Sequence, residues 1–363
     1  MKITILLFLA ICITMPQFAQ TKGNISIPDL KGFKTLKCDF HIHTVFSDGY
    51  VWPTVRVDEA YREGLDVIAI TDHIEYRPYK NEVVSSHNRS FEIAQDYAKS
   101  KEILVIKGSE ITRSMPPGHH CAIFLTDSEK LDTPEYIDAF KAAKTQNAFI
   151  FWNHPGWDVQ QPDTTLWWKE HTLLFEQGLM NGIEVVNIDY SPEAHKWCLE
   201  KKLTMLGNSD VHLPMPEFTY GKHRTMTLVF ATATTPEAIK EALLNRRTAV
   251  YHDDYIIGEE KYLKELFENA VEITVEKMPD NEALITFNNK SDLTFYLKKT
   301  THDRRLVYFR NQSVDPYIIK PKSVQSTIVR LNDGIKGGNV NFTVENLLVQ
   351  PCKGMNYSVK ISD

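Results

Sequence analysis

At 363 residues the chain is too long for one average domain and short for three, so two domains are expected. Hydrophobic residues make up 42% and charged residues 24%, which excludes an intrinsically disordered chain and provides for a real core. The formal charge of -6, with no basic stripe, argues against a nucleic-acid partner; a small anionic substrate would have to find positive charge placed locally.

Residues 1–19 read as a secretory signal peptide. Lys2 is the only charged residue before Lys22, the apolar run from Ile3 to Ile13 is short for a bilayer span, and Ala19 closes a plausible cleavage point after Gln17-Phe18. The bland alternative is a buried N-terminal strand or an uncleaved anchor. Cys12 follows Ile11, a poor context for lipid attachment. The mature protein is therefore expected to be exported, periplasmic or extracellular, with no stable membrane insertion. Cys38, Cys121, Cys198 and Cys352 lie too far apart for a CxxC metal pair or a dense disulfide framework, and read as small core hydrophobes.

From Thr35 to about Tyr251 short apolar runs alternate with amphipathic stretches, as when parallel strands are connected by helices. Strands are expected at 35–40, 66–70, 103–107, 121–125, 148–152, 183–187, 203–206 and 226–230. One helix should start at Pro53 and stop near Gly64, another should run from about Thr133 to 145, and further starts lie at Ser191-Pro192 and Thr235-Pro236. Repeated strand-helix units of this number point to a barrel-like α/β domain over 20–262. After a short helical pattern reaching Asn269, strands are expected at 271–275, 283–287, 293–297, 305–309, 326–331, 341–344 and 357–361. That spacing suggests a small β-sandwich, 263–363, without a chemical motif.

The chemistry lies near the strand ends. His41-Ile42-His43 follows the first apolar run, and strand alternation puts both imidazoles on one side. Asp48 follows in the next loop, Asp72-His73 ends the second run, Glu110 the third, His119-His120 opens the fourth, Asn153-His154 follows the fifth, and Asp210-Val211-His212 the seventh. Any one of these has an ordinary reading as a capping or turn residue. Together they recur near one end of strand after strand, where a barrel of parallel strands collects its functional side chains.

The ordered string HIHTVFSDG, ITDH, EIT, GHH, NHPGW and SDVH resembles the PHP family, the polymerase and histidinol phosphatase superfamily of metal-dependent phosphoesterases, over roughly residues 36–250. The resemblance implies a distorted (βα)7 barrel with two or three divalent metal ions at the C-terminal ends of its strands. It implies that His41, His43, Glu110 and Asp210 hold one ion, that Glu110 bridges to a second held by His119 and His154, and that Asp48, His73 and His212 hold a third. Adjacent histidines cannot both enter the cavity from a regular strand. His119 is chosen over His120 because Gly118-His119-His120-Cys121-Ala122 fits the family's Gly-His-x-x-Ala.

Imidazole and carboxylate ligands suit zinc, manganese or iron. A hydroxide held between such ions is a nucleophile near neutral pH, and phosphoryl oxygens on the ions lose repulsive charge. The expected activity is hydrolysis of a small phosphorylated substrate. Arg77, Arg113 and Arg224 each follow a ligand motif and are the candidates for holding phosphate oxygens, with Lys222 and His223 nearby; for each alone an exposed surface charge is the commoner role. Two alternatives stand beside this reading: a metal hydrolase acting on an amide, carbamate or lactone, and a metal-containing binding protein. The oligomeric state is left open.

Overall fold

The computed structural model describes residues 22–216, 223–299, 306–310, 316–331 and 338–361. The expected signal peptide, Lys222 and residues 300–305 lie outside the described residues. Among the described residues no helix is long and apolar enough to cross a membrane.

The first half runs β1 (Lys34–Asp39), α1 (Pro53–Glu63), β2 (Val67–Ile70), α2 (Arg89–Ala98), β3 (Leu104–Ile111), β4 (His120–Ile123), α3 (Tyr136–Thr145), β5 (Phe149–Trp152), α4 (Lys169–Glu176), β6 (Gly182–Val186), α5 (Pro192–Lys201) and β7 (Thr204–Gly207). It continues with β8 (Met226–Ala231), α6 (Pro236–Leu244), β9 (Thr248–His252), β10 (Tyr255–Gly258) and α7 (Glu260–Ala270). Helix ends follow their local chemistry. Pro53 opens α1 and Gly64, at φ 77, ends it in the left-handed conformation that glycine adopts without strain. Ser191 and Thr235 cap α5 and α6 by accepting from the backbone N–H of Ala194 and Ala238.

The strands curve into one continuous sheet, but only part of it is parallel. β1–β2–β3 and β5–β6–β7 are parallel triplets, whereas β4 runs antiparallel to both β3 and β5, and β8 runs antiparallel to β1. The expectation of parallel strands throughout fails at β4 because residues 112–119 return the chain without a crossover helix, so the strand must reverse. Closure comes from hydroxyl groups: Thr227 bonds both the N–H and the carbonyl of Gly207, and Thr248 donates to the Met205 carbonyl. Gly207 is required there, since a Cβ would collide with Val250. Alternate strand residues such as Cys38, Phe40, Val67, Ala69, Phe149 and Phe151 share one buried cluster with Ile239 and Leu243 of α6. The opposite face packs Ile68, Ile70 and Val105 with the helical Val57 and Ala94, and Ile150, Ile183 and Met205 with Phe140, Leu174 and Ala194.

The C-terminal part is β: β11 (Val271–Met278), β12 (Glu282–Asn289), β13 (Phe295–Lys299), β14 (Leu306–Arg310), β15 (Tyr317–Ile319), β16 (Ser323–Leu331), β17 (Gly338–Gln350) and β18 (Lys353–Ile361). β11, β12, β16 and β14 form one sheet, and it faces β13, β15, β17 and β18, with Phe287 5.6 Å from Tyr317 across the interior. The second sheet is no separate body, because β17 pairs in parallel with β10 and so extends the barrel sheet. Helix α7 crosses the boundary expected after residue 262 and packs Phe267 against Phe295 and Tyr357, each 4.9 Å away. Cys38, Cys121 and Cys198 are buried and unbridged, as expected of core residues. Cys352 departs from that expectation: it is exposed, in the turn between β17 and β18.

Candidate metal centre

The chain leaving β1 stays extended. Asn208 accepts from the Phe40 N–H, Ile42 bridges to Val211, and His41 accepts from the Asp210 N–H. Extended backbone sends His41 and His43 to the same side, over the end of the sheet. His73 and Glu110 form a parallel bridge just beyond β2. Two of the inward-facing residues, His154 and Asp210, have φ of 31 and 51, in the left-handed region that is strained for side chains of their kind. The surrounding hydrogen bonds hold them there: His154 N–H donates to Glu184, and Asp210 N–H to the His41 carbonyl.

All nine expected ligands converge. Glu110, fully buried, turns Oε2 to His41 Nε2 and His43 Nε2, each at 3.3 Å, and Oε1 to His119 Nδ1 at 2.9 Å, with His154 Nε2 at 3.8 Å. Asp210 Oδ1 lies 3.2 Å from His41 Nε2 and 3.0 Å from His43 Nε2. Asp48 Oδ1 faces His73 Nε2 at 3.4 Å and His212 Nε2 at 3.2 Å. Donor atoms gather within 4.8 Å of one another in three sets: His41, His43 and Glu110; Glu110, His119 and His154; and His43, Asp48, His73 and His212. The first set lacks the expected Asp210, which stands beside it through its contacts with His41 and His43, and the third includes His43, whose ring lies 4.4 Å from that of His73 and 4.2 Å from that of His212.

These residues fit divalent cations. His43 Nε2, Asp48 Oδ1 and Asp210 Oδ1 are buried toward the centre without a hydrogen bond, a costly arrangement unless another group satisfies them. The electrostatics point the same way. Burial alone would raise the Glu110 carboxyl, yet His73, His119 and His41 hold it well below the usual carboxylate range. Burial would also depress His73, but Glu110 and Asp48 lift it to about 10. The carboxylates thus draw positive charge to the centre, a demand that cations satisfy while leaving imidazoles neutral as ligands.

Groups behind the ligands orient them. Glu184, buried in β6, takes His41 Nδ1 at 2.9 Å and also accepts from the side-chain amides of Asn187 and Asn208. Thr112 Oγ1 lies 2.6 Å from His73 Nδ1, and the Asp210 carbonyl 2.7 Å from His212 Nδ1. Such partners fix the ring that the ligand atom belongs to. Sequence reading missed Glu184; its signal was a lone acidic residue inside the apolar run Gly182-Ile183-Glu184-Val185-Val186. Asp72 was named in the sequence motif but given no role. Beside the His73 motif, it turns away and binds the Thr44 backbone and the Ser47 hydroxyl.

His119 faces the cavity, whereas His120 is wholly buried against Phe140, its ring 4.9 Å away, and lies stacked nearly parallel to Trp152. The three arginines expected at the cavity rim are not there. Arg77 is tied to the Phe46 and Ser85 carbonyls, Arg113 to Glu75 and the carbonyls of Thr133 and Pro134, and Arg224 to Asp39 and Glu63. Much of each guanidinium is already engaged by protein oxygens, and none of the three lines the cavity. His223 is likewise engaged, stacked on Tyr251 with its ring nitrogens at backbone carbonyls.

A solved two-domain protein of Bacteroides vulgatus ATCC 8482, containing a predicted PHP-like metal-dependent phosphoesterase, is 53% identical to this chain. It covers 94% of the chain, is itself covered over 100% of its length, and superposes with a TM-score of 0.91. The chain belongs to the PHP-like family. An uncharacterized protein of Methanocaldococcus jannaschii is 39% identical over 190 residues, 49% of this chain and 83% of that protein. Residues 271–360 match a family model described as an Ig-like domain. This PHP-like chain therefore joins a mixed α/β core carrying the ligand cluster to an Ig-like β unit.

Proposed function

We propose that the chain hydrolyses small phosphate esters, with two or three divalent ions held by the nine residues above. The observation that carries this reading is Glu110: one buried carboxylate serves two separate ligand sets through its two oxygens. When bound, such ions lower the pKa of water and offset phosphoryl charge. The protein's own part is to hold the His41, His73 and His212 rings through Glu184, Thr112 and the Asp210 carbonyl, and to shape the cavity above. Zinc, manganese and iron all suit this donor set. Export through residues 1–19 belongs to the same proposal.

The absence of Arg and Lys from the cavity lining among the described residues favours a second reading, hydrolysis of an uncharged amide, carbamate or lactone. A panel of phosphate monoesters, diesters and those neutral substrates, run on protein reconstituted with each metal, separates the two. Turnover confined to the neutral substrates would replace the first reading with the second.

A further inference from the structure

The cavity over the cluster measures about 900 Å³, far more than a phosphoryl group fills, so most of it is left for the alcohol part of an ester. Its outer walls come from loops 154–158 and 187–191 and the start of α5 at Pro192 and Glu193, with Tyr76 and Thr165. Trp157 stands 5.1 Å from the His154 ring and 5.6 Å from the His119 ring, and remains 36% exposed. On the other flank Tyr76 stands 5.8 Å from His73 and is 53% exposed. Two accessible aromatic rings thus border the ligand imidazoles.

The charge in this cavity is one-sided. Besides Asp48, Glu110, Glu184 and Asp210, the carboxylates of Asp158, Asp189 and Glu193 line it, and among the described residues no Arg or Lys does. Three divalent ions would bring at most six positive charges against these seven carboxylates. A second anionic group on a substrate would find no Arg or Lys among the described residues that line the cavity, and several negative neighbours.

We propose that the substrate carries a single phosphoryl group on an alcohol that is uncharged or cationic and rich in hydrogen-bond donors: a phosphorylated sugar, polyol or amino alcohol. This rests on the phosphoester reading. Hydroxyl or ammonium groups donate to Asp158, Asp189 and Glu193, while Trp157 and Tyr76 take the apolar face of a sugar or an ammonium head. Esters bearing a further carboxylate or phosphate are rejected.

Matched pairs test this on the metal-loaded full chain: glycerol phosphate against phosphoglycerate, glucose monophosphate against glucose bisphosphate, and phosphoethanolamine against phosphoserine. The less anionic member should have the higher kcat/KM by roughly tenfold or more, the gap narrowing with salt and in a combined D158N, D189N and E193Q variant. Which pair turns over fastest distinguishes sugar, polyol and amino alcohol. Equal or better turnover of the more anionic members would overturn the proposal. Calorimetric binding of dihydroxybutylphosphonate against hydroxyphosphonobutyrate separates it from the parent reading. Preference for the less anionic phosphonate without any ester turnover would sink the phosphoesterase reading and keep the charge rule; no preference would sink the charge rule.

Discussion

His41 Nδ1 lies 2.9 Å from Glu184 Oε1, and both side chains are wholly buried. The contact commits Nδ1 to the carboxylate and leaves Nε2 for the centre. Replacing Glu184 with Gln keeps the shape but removes the charge that strengthens His41 as a ligand. E184Q should bind metal roughly 10- to 100-fold more weakly, measured by competition with a chromogenic chelator. Unchanged affinity would show that Glu184 only fills space.

The adjacent histidines should separate cleanly. H119A removes a side chain 2.9 Å from Glu110 and should lose bound metal with little change in folding stability. H120A opens a hole beneath Trp152 and Phe140 and should cost on the order of 2–3 kcal/mol in urea unfolding, with metal stoichiometry kept. The reverse pattern would exchange their roles.

Arg224 is predicted to be a structural residue. Its side chain is 1% exposed, and it pairs with the fully buried Asp39 at 3.0 Å and with Glu63 at 2.8 Å. R224A strands a buried carboxylate and should destabilise the fold by about 3–5 kcal/mol. R77A and R113A should leave KM for a phosphate ester within about threefold of the parent value, because neither reaches the cavity. A large KM increase in either would restore it to the substrate site.

Two buried histidines set an acid limit. His171 packs 3.7 Å from Trp152, Trp168 N–H donates to its Nδ1, and Nε2 faces the Pro117 carbonyl, so the neutral ring satisfies both nitrogens. Burial pushes His171 down to about 4, and does the same to His195. An unfolded imidazole titrates near about 6.5, so below that pH the unfolded chain binds the extra proton. The stability is therefore complete above about 6.5 and is lost as pH falls toward 4, by up to roughly 3 kcal/mol per ring. H171Q should remove about one proton from the pH dependence of urea unfolding in that window. Identical pH slopes for parent and variant would contradict this.

The cluster of candidate ligands was legible because each member sits beside a strand end, where a short motif carries both the apolar run and the donor. Alternation admits only one of His119 and His120, and it was the resemblance of Gly118-His119-His120-Cys121-Ala122 to the family's Gly-His-x-x-Ala that pointed to His119. The arginines misled because closeness in sequence does not say which way a loop turns. Arg224 follows Asp210-Val211-His212 but is drawn back to Asp39 and Glu63, carboxylates whose position no local pattern discloses. The reversal of β4 was hidden because four buried residues read alike in either direction. The merging of the two halves was hidden as well, since β10 and β17 meet across about ninety residues of intervening chain. The same long-range pairing means that a fragment ending at residue 262 would expose the β10 edge.

The central claim is that Glu110 joins two cation sites in one hydrolytic centre. It is tested most directly by measuring bound metal per chain and phosphate-ester turnover on the same preparations of parent protein and E110Q. At least two ions per parent chain, with metal content and turnover falling together in E110Q, is the predicted result. A fully metallated E110Q that still turns over ester at the parent rate would contradict it.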